Sequence, residues 1–281
     1  MSSDEPGEAA DDAYARRLEA VVAGHRGEAV VAERLLSDSD AAVRAAALGA
    51  LARCGELQVA QVRQALGDEA TVVRCRAAEL APAEVELVGL LSDPDASVVE
   101  AAAAALGERD QDPGPVEELC RVARGHDDPL CRESAVAALG AIAAGLDADA
   151  DADADAGAGP DETADAVADA DAGADADADA SADAGSDAAA GADAHHDAEP
   201  GTNAGTSAAA GADAHHDAAR AMALEVLLAA MEDRPQIRRR ALLGLHQFDN
   251  DRAADAVRAG LEDRDRQVRA VAGELLGVPV H

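Results

Sequence analysis

The chain has 281 residues, a formal net charge of −34, aromatic residues at 1% and no Trp. All 23 basic residues are Arg, since the sequence contains no Lys, and 57 acidic residues outnumber them. That balance argues against DNA, RNA or an anionic membrane as the main partner, because each needs a cationic face, and the scarcity of aromatics removes base-stacking platforms.

In chain order, the opening Met1-Ser2-Ser3-Asp4-Glu5-Pro6 is acidic and has no apolar core, so it does not read as a secretory signal. The longest nearly uncharged apolar stretch, 134–146, is too short to span a bilayer. The expectation is a soluble, cytoplasmic protein. Residues 12–24, with Leu18, Val21 and Val22 on one face, predict an N-terminal capping helix within a tail-and-cap unit over 1–26.

Six segments then share one pattern. Aligned on Val43, Val73, Val98, Cys131, Ile237 and Val268, each has Ala four positions later: Ala47, Ala77, Ala102, Ala135, Ala241 and Ala272. Eight positions later stand Leu51, Ala81, Leu106, Leu139, Leu245 and Leu276. This i, i+4, i+8 spacing lines one face of a helix and predicts helices over 41–53, 71–81, 96–107, 130–145, 236–247 and 266–277. A preceding helix closes at Leu36, Leu66, Leu91 or Leu261, and a polar turn such as Asp38-Ser39-Asp40 or Asp93-Pro94-Asp95 joins the two. The predicted fold class is all-α: an α-α superhelix, a HEAT/armadillo-like solenoid of about six helix pairs. Repeats one to four fall in 27–146, and repeats five and six in 220–281.

Between them, residues 147–219 hold 18 Asp, two Glu and no Arg, a charge of −20, with Val167 the one residue from the Leu, Ile, Val and Phe set. Like charges at i, i+2 and i+4 and the lack of an apolar face predict a disordered linker. Anchors Cys131 and Ile237 lie 106 residues apart, one ordinary period plus the insert, so the insert interrupts an array. Two helix pairs are too few to be stable alone, which predicts that repeats five and six dock on repeat four. The four cysteines, Cys54, Cys75, Cys120 and Cys131, contain no C-x-x-C pair and read as reduced core residues.

Helix pairs of about 30 residues carrying L-x-D-x-(D)-x-x-V-R-x-x-A-x-x-x-L resemble HEAT repeats of the phycobilisome-lyase type. The resemblance implies that the turn Asp and the Arg six residues later build a ladder between repeats: Asp38 with Arg44, Asp68 with Arg74, and Asp263 with Arg269. Val99 in place of Arg, His126 in place of Asp, and Arg238 one residue early imply that the ladder is weakest across repeats three to five. The acidic excess, absence of Lys and Ala-rich core resemble proteins of salt-accumulating halophilic archaea.

The resemblance implies a non-catalytic scaffold for protein–protein interaction through a concave second-helix surface. Its competitors are a HEAT-like enzyme or assembly factor of the lyase or hydroxylase kind and, more weakly, a HEAT-like nucleic-acid-binding protein. No catalytic or cofactor-binding constellation is legible, and the sequence contains no His-Glu dipeptide of the kind that holds iron in HEAT-like hydroxylases. Candidate sites are Arg234, Arg238, Arg239 and Arg240, for which the expected partner is an unidentified, possibly acidic protein. The weakest are His195, His196 and Asp197 with His215, His216 and Asp217, whose imidazoles and carboxylates suit a divalent metal. No nucleic-acid or membrane partner is expected, and the chain is expected to be monomeric in high salt.

Overall fold

The computed structural model describes residues 6–109, 112–156 and 204–279. Among these the protein is all-helical, an α-α solenoid: α1 Pro6–Arg26, α2 Ala29–Leu35, α3 Ala41–Cys54, α4 Val59–Leu66, α5 Thr71–Glu79, α6 Ala96–Gly107, α7 Val116–Gly125, α8 Pro129–Ala156, α9 Ala204–Ala230, α10 Pro235–Leu245, α11 Asp251–Ala259 and α12 Arg266–Leu276.

Two layers form because each helix pair exposes an apolar face that its neighbour covers. Helices α1, α3, α5, α6, α8, α10 and α12 pack side by side in one layer, and α2, α4, α7, α9 and α11 back them. All six seam alanines, Ala47, Ala77, Ala102, Ala135, Ala241 and Ala272, are fully buried. Their small size lets the second helices approach closely. A Cβ on Gly107 would lie 2.7 Å from the Cα of Ala138, and one on Gly140 would lie 2.8 Å from the Cα of Gly244.

Repeat three departs from a helix pair. Its anchors Val73 and Val98 are only 25 residues apart, and Pro82 follows shortly after α5, so no full first helix fits. A 3-10 turn over Val88–Ser92 takes its place and buries Leu91.

The cap helix faces the opposite way from the sequence expectation. Ala20 and Ala23 are buried against α3, whereas Leu18 is 51% and Val21 37% exposed. The reason is the tight approach of α1 to α3, where a Cβ on Gly24 would sit 2.7 Å from the Cα of Ala50. Only small residues fit that seam, so Leu18 and Val21 turn outward, while Val22 is half-buried.

The insert boundaries also differ from expectation. Helix α8 continues to Ala156 and α9 begins at Ala204, both inside the segment 147–219 expected to lack structure. Ala is the strongest helix former, and a helix already nucleated in the packed core extends at low cost. The rest of the expected linker lies outside the described residues. Helix α10 packs on α8, and α9 on both α7 and α8, so one hydrophobic core runs from Ala45 to Ala272 across the splice. Helical residues Pro129–Leu146 are long and apolar enough by composition to cross a membrane, because α8 starts earlier than the apolar stretch suggests. Half of that window is buried inside the solenoid.

Candidate functional site

Two sets of polar side chains are organised by the repeats, a buried ladder and an exposed groove face. The ladder starts from the turns. Each turn carboxylate closes its own turn through a backbone N–H: Asp38 accepts from Asp40, Asp68 from Ala70, Asp93 from Asp95, and Asp263 from Asp265, at 2.7–2.9 Å. The same carboxylates accept bidentate hydrogen bonds from the Arg of the preceding repeat. Arg44 pairs with Asp68 at 2.7 Å, Arg74 with Asp93 at 2.9 Å, Arg132 with Asp233 at 2.8 Å, and Arg238 with Asp263 at 2.7 Å. Arg16 of α1 supplies the first rung to Asp38 at 2.7 Å.

Apart from Arg16, these Arg side chains also donate through Nη1 to a carbonyl of their own turn, as does Arg269. Arg44 reaches Asp38, Arg74 reaches Asp68, Arg132 reaches His126 and Arg269 reaches Asp263. The residues paired by sequence spacing are thus joined through the backbone, while the carboxylate binds across the repeat boundary. These side-chain hydrogen bonds hold the carboxyls of Asp38, Asp68, Asp233 and Asp263 below the ordinary carboxylate range.

The ladder has one missing rung, between repeats three and four, where Val99 and His126 stand in the Arg and Asp positions. His126 still closes its turn, with Nδ1 accepting from the N–H of Asp128 at 3.1 Å, but it offers no carboxylate. Val99 is 1% exposed and asks for none. The rungs on either side of repeat five are formed, contrary to the expected weakness there. Repeat five shortens its turn by one residue: Pro235 has no N–H to donate, so Asp233 accepts from Arg234 instead, and Arg238 still reaches Asp263.

This placement corrects the candidate cluster of Arg234, Arg238, Arg239 and Arg240. Arg238 is 3% exposed and fully engaged in the ladder. Arg239 donates to Gln267, and Arg240 to Glu133 at 3.3 Å. Arg234 is exposed, and the four do not form one cationic patch. Of the candidate metal ligands, His195, His196 and Asp197 lie outside the described residues. His215, His216 and Asp217 are consecutive on α9 and therefore point in successive directions about 100° apart. Among the described residues no group of three His, Cys, Asp or Glu side chains is arranged to hold a metal ion.

Cys120 and Cys131 are buried thiols, and Cys54 and Cys75 are half-buried, all unpaired. Burial pushes the Cys131 thiol up to about 11, and its Sγ donates to the carbonyl of Ala96.

The second-helix face was expected from sequence, but the residues that line its grooves were not. Between successive second helices run shallow grooves floored by Ala and Gly. The first is lined by Val21, Ala45, Gly49 and Val72 with Arg17, Arg53 and Arg76. The next contains Glu79, Glu100, Ala101, Ala104 and Glu108, and its lining has no Arg. Further along, Leu130, Glu133, Ala137 and Arg240 line a third, and Leu243 and Gly244 a fourth. Repeat periodicity identifies the helix bearing these residues, but only the stacking distance decides that the strip between helices stays open.

No protein-family model and no curated protein matches the chain. Its fold is similar to a designed armadillo repeat protein in complex with the peptide (KR)4, at 13% identity and a TM-score of 0.41, covering 98% of this chain and 95% of that one. It is also similar to an engineered protein at 18% identity and a TM-score of 0.39, covering 98% and 92% respectively. A second designed armadillo repeat protein gives 14% identity and a TM-score of 0.41, covering 98% and 95%.

Proposed function

We propose that this protein is a non-catalytic scaffold that binds a segment of another protein along the grooves between its second helices, the face expected to be concave. The observation that carries this reading is the line of exposed apolar side chains along that face. Val21, Val72, Leu130 and Leu243 stand at the walls of grooves whose floors are Ala and Gly. Exposed large apolar residues gathered on one face mark an interaction surface.

Charge along the face selects the ligand. Glu100 and Glu108 line the middle grooves without a salt bridge among the described residues, so a bound segment carries a basic side chain there. This revises the possibly acidic partner expected for the Arg cluster, whose central member is sequestered in the ladder. Kinship with phycobilisome-lyase-type HEAT proteins, a high-salt host and a cytoplasmic location belong to the same proposal, supported by the repeat pattern and the acidic composition.

The test is affinity capture in molar salt with the intact chain and with a Leu130→Asp/Leu243→Asp variant. Both positions are exposed, so the variant is expected to keep its thermal stability and lose any stoichiometric partner. Retention of that partner by the variant overturns the groove reading.

A further inference from the structure

The outer face of α1 carries a ridge and a charge pattern of which the groove reading uses only Val21. Opposite its buried residues Ala20 and Ala23 lies a stripe of Tyr14, Leu18 and Val21, which are 68%, 51% and 37% exposed. These are three of the nine large apolar side chains exposed among the described residues. They stand at i, i+4 and i+7, a helical spacing that makes one continuous ridge. Among the described residues, α1 is the first helix of the solenoid and packs mainly on α3 and α2.

The two ends of the same helix carry opposite charge, with Arg16, Arg17 and Glu19 between them. Asp11 and Asp12 precede the ridge, and His25 and Arg26 follow it. Asp11 and His25 share the outward direction with the ridge, and all four side chains are exposed. Two such helices laid side by side in parallel would place like charges together. Laid antiparallel, they bring the acidic start of one over the basic end of the other, twice, with Leu18 near the midpoint. The face is therefore complementary to itself under a two-fold axis, the condition for an isologous contact.

We infer that the outer face of α1 is a self-association surface whose occupant is the antiparallel α1 of a second copy of this chain. Tyr14 of one copy then lies beside Val21 of the other, and the Leu18 side chains meet at the axis. Asp11 and Asp12 of each copy face His25 and Arg26 of its partner. The overall charge of −34 opposes association in dilute buffer, and salt that screens this long-range repulsion leaves the short-range apolar contact in place. This replaces the expected monomer in high salt; it shares only Val21 with the groove reading, and Leu130 and Leu243, which test that reading, take no part in it.

The test uses the full chain in molar KCl, followed by sedimentation and light scattering over a concentration series. Tyr14 is the only Tyr and there is no Trp, so intrinsic fluorescence anisotropy reports this face directly. A reversible dimer is expected, and Leu18→Glu is expected to weaken it by about tenfold or more, by placing charge in the apolar contact. An Asp11→Arg/Asp12→Arg variant and a His25→Glu/Arg26→Glu variant are each expected to self-associate less, and their mixture to recover a heterodimer. All these positions are exposed, and unchanged helical content by circular dichroism establishes that each variant is folded. A chain that stays monomeric at every concentration, a dimer indifferent to Leu18→Glu, or a mixture that fails to recover overturns the inference.

Discussion

In repeats one, two, four and five a single Arg performs two tasks that ordinarily need two residues. Its Nη1 fixes the turn of its own repeat, and its remaining edge grips the carboxylate of the next. Because Arg238 is only 3% exposed, removing its side chain leaves Asp263 half-buried without its countercharge. Arg238→Ala is expected to cost about 3 kcal/mol, read from urea unfolding, and more than the same change at the more exposed Arg16. The missing rung offers a complementary measurement. His126→Asp and Val99→Arg are each expected to destabilise, since the first places an unpaired charge in a half-buried site and the second in a buried one. Their double-mutant cycle is expected to show favourable coupling of about 1–3 kcal/mol, and zero coupling would mean that repeats three and four are not in ladder register.

The same carboxylates set the acid limit. Asp38, Asp68, Asp233 and Asp263 have folded values held below those of the unfolded chain by hydrogen bonds from Arg. Their contribution is therefore fully present above the ordinary Asp value of about 3.9 and is lost as pH falls through the lower folded values. Asp68→Asn is expected to flatten the acid limb of the stability profile, measured by unfolding at successive pH values.

Among the helices, close approach decides what can be changed. Helices α8 and α10 meet at Gly140 and Gly244, where neither position has room for a side chain. This contact joins repeats four and five across the insert. Gly140→Leu is expected to push the two helices apart and lower the melting temperature by several degrees, together with faster hydrogen exchange in α10–α12 than in α3–α6. A uniform loss of protection would show that the two blocks unfold as one. Helix α1 shows the same rule from the other side. Its seam with α3 accepts Ala and Gly, and Leu18 and Val21 are therefore on the surface.

Across the whole chain, charge opposes the fold. The net charge of −34 is spread over the array and the insert, while the ladder pairs are at contact distance and part-buried. Salt screens the distant repulsion more than the close pairs. The melting temperature is accordingly expected to rise from dilute buffer to molar KCl, and a fall would mean that the surface ion pairs outweigh the repulsion.

Sequence alone determined the repeat length, the Ala seam, the Asp-capped turns and the interruption after repeat four, because these depend on residues a few positions apart along one helix. It could not determine which aspartate an Arg binds, since Arg132 and Asp233 are 101 residues apart and meet only when repeat five stacks on repeat four. Nor could it orient α1, because amphipathic spacing assigns large apolar residues to the interior, whereas here the available gap admits only Ala and Gly. Those outcomes belong to the distances between stacked helices, which arise from the assembled array and from no one segment of it.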